Sequence, residues 1–89
     1  MEVHELKTWP EPFEAVWGGE KTAETRRNDR NFQVGDHLAL HEYHPEVEAY
    51  TGRSVLVKVT HLLKDWQREG YVTMSIRVVG RGRALEEGN

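Results

Sequence analysis

Ser54-Val55-Leu56-Val57-Lys58-Val59-Thr60-His61-Leu62-Leu63 places valine at 55, 57 and 59, with Leu56, Lys58 and Thr60 between them. A period of two over this length is the pattern of a strand with one face buried. On its C-terminal side, Lys64 to Gly70 reads as a short connection around Trp66, and Tyr71 to Val79 as another strand. On its N-terminal side, Pro45 to Gly52 reads as a hairpin loop. Before that, a strand from His37 to Tyr43 sets Leu38 and Leu40 on one face, and Phe32 to Asp36 forms the turn feeding it.

The first part of the chain changes period. Val3 to Lys7 alternates as a strand, whereas Pro10 to Trp17 sets Phe13, Val16 and Trp17 at helical spacing, with Glu11 and Glu14 toward the positive end of the helix dipole. Thr8 is in position to cap this helix, and Gly18-Gly19 to end it, since glycine takes the left-handed conformation without a Cβ penalty. A fifth strand covers the region around 22 to 28, and Asn28-Asp29-Arg30-Asn31 reverses the chain. The order strand, helix, four strands implies an α+β fold: a five-stranded, mostly antiparallel sheet curled into a barrel, with one short helix after the first strand plugging an end. Residues 1–79 make a single domain, and residues 80–89, rich in glycine and charge, read as a mobile C-terminal tail.

Composition narrows the function classes. A domain of 89 residues buries roughly 60 to 65% of the surface its unfolded chain exposes, enough for one small core. With no cysteine, disulfides and thiolate metal sites are excluded, which fits a reducing, cytoplasmic setting. No apolar run approaches the ~20 residues of a membrane helix, and Met1 to Glu5 lacks the features of a secretion signal. The expectation is therefore no membrane association. The net charge of −3 argues against a uniformly basic nucleic-acid binder. The charge is segregated, however. Residues 1 to 20 carry five acids against Lys7, whereas residues 21 to 30 carry Lys21, Arg26, Arg27 and Arg30 against Glu24 and Asp29, a net +2.

That basic window holds the chemistry. If residues 22 to 28 run extended, Thr22, Glu24 and Arg26 share one face, and Ala23, Thr25 and Arg27 the other. Lys21 joins Glu24 and Arg26 only if the backbone is still turning there. The three side chains form either a surface ion-pair ladder, contributing ~0 to 1 kcal/mol per pair, or a cluster in which Lys21 and Arg26 bind a phosphate or base carbonyl while Glu24 orients them. Trp9 and Trp17 are candidate stacking faces, with Trp17 assigned to the core by its spacing with Phe13 and Val16. His37, His41 and His44 do not match a metal-ligand spacing, since His37 and His41 share a strand face and His44 does not. Asp36 reads as a turn stabiliser after Gly35. Tyr71, Thr73 and Ser75 share a face of the last strand and line either the cleft or the ladder.

Gly19-Glu20-Lys21-Thr22-Ala23-Glu24-Thr25-Arg26, with the pattern G-x-K-x-x-E-x-R, together with Val34-Gly35-Asp36 opening the next strand, resembles the ASCH family of the PUA-like superfamily. The similarity extends from residue 3 to about 79, through His4 to Pro10, Arg26 to Arg30, Phe32 to Asp36 and Gly70 to Val72. It looks most like a small ASCH-related group of bacterial and phage proteins. The resemblance implies a PUA-like pseudobarrel with a cleft between helix and barrel mouth, suited to RNA or a nucleotide-sized ligand, and no cofactor. Some ASCH relatives resemble amidohydrolases of acylated cytidine, with the motif lysine as base and a threonine three residues later as nucleophile. Here Lys21 matches the lysine, and Glu24 stands where that threonine would be.

Three function classes follow from the sequence. The first is a binding module for RNA or a modified nucleotide, using Lys7, Trp9, Lys21, Glu24, Arg26 and Arg27. The second is a small hydrolase on nucleoside or RNA substrates, either an acylated-cytidine amidohydrolase or a ribonuclease, with Lys21 and Glu24 catalytic. The third is a protein-interaction module working through the acidic N-terminal region.

Overall fold

The computed structural model describes residues 1–64 and 68–84. Six elements follow one another: β1 (Val3–Thr8), α1 (Pro10–Trp17), β2 (Ala23–Arg27), β3 (His37–His44), β4 (Ala49–Leu63) and β5 (Tyr71–Arg83). They make one five-stranded mixed sheet in the order β1-β3-β4-β5-β2. The β1–β3 pair is parallel and the other three pairs are antiparallel. The sheet curls into a half-barrel that carries α1, the one α-helix among the described residues.

Alternation decides which face is inside. Leu6 of β1, Leu38 and Leu40 of β3, Val55, Val57 and Val59 of β4, and Val72, Met74 and Ile76 of β5 all project inward and are buried. Phe32, from the loop before β3, joins them. Register shifts between Leu56 and Val57 and between Val59 and His61 break the long β4–β5 ladder. Bulges of this kind increase local twist, which curls so long a hairpin around its core.

The helix closes one end of the half-barrel. Phe13 and Val16 are fully buried and Trp17 is half-buried against the core, each fully buried side chain contributing about 1.5–3 kcal/mol. Its N-cap is Trp9, in extended conformation, with no side-chain capping bond. Thr8 therefore does not cap the helix as expected. It is the last, inward-facing residue of β1, and its hydroxyl is engaged elsewhere. At the other end, the Gly18 N–H donates to the Glu14 carbonyl (2.9 Å), and Gly19 adopts φ +87° while its N–H donates to the Val16 carbonyl (3.1 Å). Glycine is favoured at that left-handed residue, since it carries no Cβ penalty there.

Two boundaries differ from the sequence reading. The loop between β3 and β4 is confined to residues 45–48, because Ala49 and Tyr50 already pair with His44 and Tyr43. The last strand runs to Arg83, so residues 80–83, expected in a mobile tail, pair with Arg53 to Leu56 of β4. Residues 85–89 of that tail, and Trp66 with its two neighbours in the 64–70 connection, lie outside the described residues.

Candidate functional site

β1 and β2 are the two edges of the sheet, and the half-barrel leaves a seam between them. Arginine side chains bridge it. Arg26 Nη2 of β2 donates to the Lys7 carbonyl of β1 (3.0 Å) and to Thr8 Oγ1 (3.2 Å), and Arg30 Nη1 donates to the Glu5 carbonyl (2.9 Å). Glu5 and Lys7 are two residues apart, so their carbonyls point to the same side of the strand. Guanidinium groups thus occupy positions that a neighbouring strand would otherwise fill, one way of blunting an edge.

Where the seam meets the start of α1 lies a cleft of about 570 Å3 lined by Lys7, Thr8, Trp9, Pro12, Lys21, Ala23, Glu24, Thr25 and Arg26. Glu24 projects inward from β2 and is 5% exposed. Its Oε1 accepts from Lys21 Nζ at 2.7 Å and its Oε2 from Arg26 Nε at 2.7 Å. Lys21 Nζ also donates to the Ala23 carbonyl. A carboxylate held between two cations is a charge-assisted arrangement that fixes all three side chains.

Lys21 converges with Glu24 and Arg26 because it precedes β2. The left-handed turn at Gly19 and a bond from the Lys21 N–H to the Ala15 carbonyl (3.0 Å) keep it against the end of the helix. Its ammonium then swings back onto Glu24. Arg26 shares the Glu24 face by strand alternation, whereas Thr25 faces the other way and shares a hydroxyl hydrogen bond with Thr73 (2.8 Å).

Trp9 is 57% exposed at the cleft, so it is a surface residue and not part of the core. Trp17 packs on Phe13 with ring centroids 5.7 Å apart. Lys7 borders the cleft through β1, but its side chain is on the outward face of that strand, with the ammonium 4.1 Å from the centre of the Tyr43 ring, outside the cleft lining. Nor is Arg27 brought together with Trp9, Lys21, Glu24 and Arg26. It points away from the Lys21–Glu24 pair and lines a neighbouring cleft of about 310 Å3 with Arg30, Asp29, Phe32 and Tyr71. Thr25 and Arg26 line both clefts.

Two further polar clusters hold the frame. Asp36 is buried, accepting from the Glu2 N–H (3.1 Å), the Gln33 N–H (3.0 Å) and His4 Nε2 (2.9 Å). Burial alone would raise its carboxyl, but these hydrogen bonds and the His4 charge outweigh it and hold it below its ordinary value. Glu42 is buried beneath Arg53, whose Nε and Nη2 donate to its two oxygens at 2.9 and 3.0 Å. Those bonds, with one from Thr51, lower the Glu42 carboxyl against the effect of burial, and the carboxylates Glu42 and Glu14 raise Arg53 further. Sequence reading missed this pair, although Glu42 follows Leu38 and Leu40 on the inward register and an inward carboxylate requires a cation. It also missed Thr8 as a cleft residue.

His41 pairs with Glu5 on the outer face of the sheet. Among the described residues no group of three or more His, Cys, Asp or Glu is placed to hold a metal ion, and no helix is long and apolar enough to cross a membrane.

A family described as a domain of unknown function, DUF3850, matches residues 3–76. The chain belongs to this family. Both clefts of this DUF3850 domain lie wholly within the matched stretch. The chain is also similar to an "uncharacterized 12.9 kDa protein in GpA 3'region" of Escherichia phage P2. The two are 41% identical over 80 residues, which covers 88% of this chain and 70% of the relative.

Proposed function

We propose that this DUF3850 domain is an RNA- or nucleotide-binding module whose ligand sits in the cleft between β1, α1 and β2, and that it breaks no bond in that ligand. The observation that carries the reading is the convergence of Lys21, Glu24 and Arg26 beside the exposed indole of Trp9. An indole face stacks on any base. Lys21 and Arg26 keep N–H donors beyond those given to Glu24, Ala23, Lys7 and Thr8, and these suit a phosphate or a base carbonyl. Glu24 positions two cations and is positioned by them, a holding role rather than a proton-transfer one. The same features support reading the half-barrel as a PUA-like pseudobarrel, in keeping with the resemblance of the Lys21 to Arg26 motif to the ASCH family.

The test is fluorescence anisotropy of a labelled RNA hexamer. Trp9→Ala removes a mostly exposed ring and leaves the melting temperature nearly unchanged, yet it weakens binding about 5- to 150-fold if stacking contributes its usual ~1 to 3 kcal/mol. Lys21→Ala weakens binding and flattens the salt dependence, and the RNA is recovered intact after incubation. Wild-type binding no tighter than that of the Trp9→Ala/Lys21→Ala double variant refutes the reading.

A further inference from the structure

The seam between β1 and β2 continues past the Trp9 cleft. The Arg26 side chain crosses the seam to Lys7 and Thr8, and Arg30 crosses it again to Glu5, so the two guanidiniums form successive rungs. The second cleft, of about 310 Å3, is lined by both of these arginines together with Arg27 and Tyr71. Arg27 and Arg30 are exposed, and one carboxylate, Asp29, shares the lining. Across the two clefts, Lys21, Arg26, Arg27 and Arg30 face Glu24 and Asp29. This cationic excess belongs to a chain whose overall charge is −3. Each cleft also carries an aromatic ring, Trp9 in one and Tyr71 in the other.

We infer that the seam binds an extended single strand of nucleic acid, at least two nucleotides long, with one base at Trp9 and the next nucleotide's phosphate on Arg27 and Arg30. This rests on the nucleotide reading of the first cleft. Cations alternating with aromatic rings along a groove suit a single strand, whose bases have free faces and whose phosphates recur at each step. Duplex bases are covered on both faces and cannot stack on a protein ring. Alternation along β2 builds the arrangement: Arg26 turns inward to divide the groove, and Arg27 turns outward to serve its second half.

The experiment compares ligands of increasing length by competition against the labelled hexamer, using uridine monophosphate, the uridine dinucleotide with a 5′-phosphate, and a uridine hexamer. A DNA hexamer of matched sequence forms the arm that separates RNA from DNA, and a duplex hexamer forms another. Arg27→Ala and Arg27→Glu are the variants, because Arg27 takes no part in bridging the seam. The expected result is at least tenfold tighter binding of the dinucleotide than of the monophosphate, with the duplex bound more weakly than either single strand. Arg27→Ala removes most of that gain, leaves monophosphate affinity unchanged, and reduces the hexamer's logarithmic salt slope by about 0.7, the value for one phosphate contact on a single strand. Arg27→Glu has the larger effect on the hexamer. Monophosphate bound as tightly as hexamer, or Arg27 variants that leave the hexamer unaffected, overturns the extended-strand inference while the first cleft stands. No binding at any length overturns both.

Discussion

Replacing Arg26 with alanine removes three hydrogen bonds together: to Glu24 Oε2 at 2.7 Å, to the Lys7 carbonyl at 3.0 Å and to Thr8 Oγ1 at 3.2 Å. A hydrogen bond to a charged group contributes about 1.5–3 kcal/mol net, and a neutral one about 0.5–1.5. The Arg26 side chain is 26% exposed and that of Glu24 only 7%, so solvent screens the pair partially. Lys21 remains on Glu24, which keeps the cost below the ~3–5 kcal/mol of a fully broken buried pair. The expected loss is about 2–3 kcal/mol, which lowers the melting temperature of a domain this size by roughly 10–20 °C. Arg26→Lys keeps the charge but reaches either Glu24 or β1, not both, and recovers about half of the loss. Urea denaturation followed by tryptophan fluorescence measures each variant, and a double-mutant cycle with Glu24→Gln isolates a coupling of about 1–2 kcal/mol. An Arg26→Ala variant within about 0.5 kcal/mol of wild type would place the guanidinium among ordinary solvated surface pairs and refute the bridged seam.

Two other outcomes follow from the frame. Because the folded Asp36 carboxyl sits below its ordinary value of 3.8, its stabilisation is complete above that value and is lost as pH falls through the lower folded one. Asp36→Asn is therefore less stable than wild type at pH 7, and the gap between the two denaturation midpoints narrows as the pH falls below 3.8; a gap that stays constant through that fall contradicts the assignment. Gly19→Ala forces a side chain into φ +87° with nothing within 4 Å of the new Cβ, so the cost is conformational, about 1–2 kcal/mol. Gly19→Asn costs less, since asparagine tolerates that region, and equal losses for the two would show that something other than backbone strain sets the cost.

The parts of the fold written in local alternation were legible from the chain. Valines 55, 57 and 59, the Val72-Met74-Ile76 triplet, and the Phe13-Val16-Trp17 spacing on α1 each name a buried face without reference to any partner. What depended on a distant partner was not. Gly80 to Arg83 look like a tail until Arg53 to Leu56 of the long β4 pair with them, and the parallel β1–β3 pairing is set by tertiary closure. Thr8 resembles a helix cap in sequence because nothing local announces that Arg26, 18 residues away, takes its hydroxyl. Within the site, alternation placed Glu24 with Arg26 and set Arg27 opposite. Whether Lys21 joined them turned on one left-handed residue, Gly19, whose φ the sequence permits but does not require.

The most direct test is a titration of 15N-labelled protein with uridine monophosphate, followed by backbone amide and indole N–H shifts. The expected shifts fall on Thr8, on Lys21 through Arg26 and on the Trp9 indole, with the outer face of β3 and β4 unmoved. Saturable shifts centred on His41, Tyr50 and Arg83, with the Lys21 to Arg26 amides silent, would contradict the account.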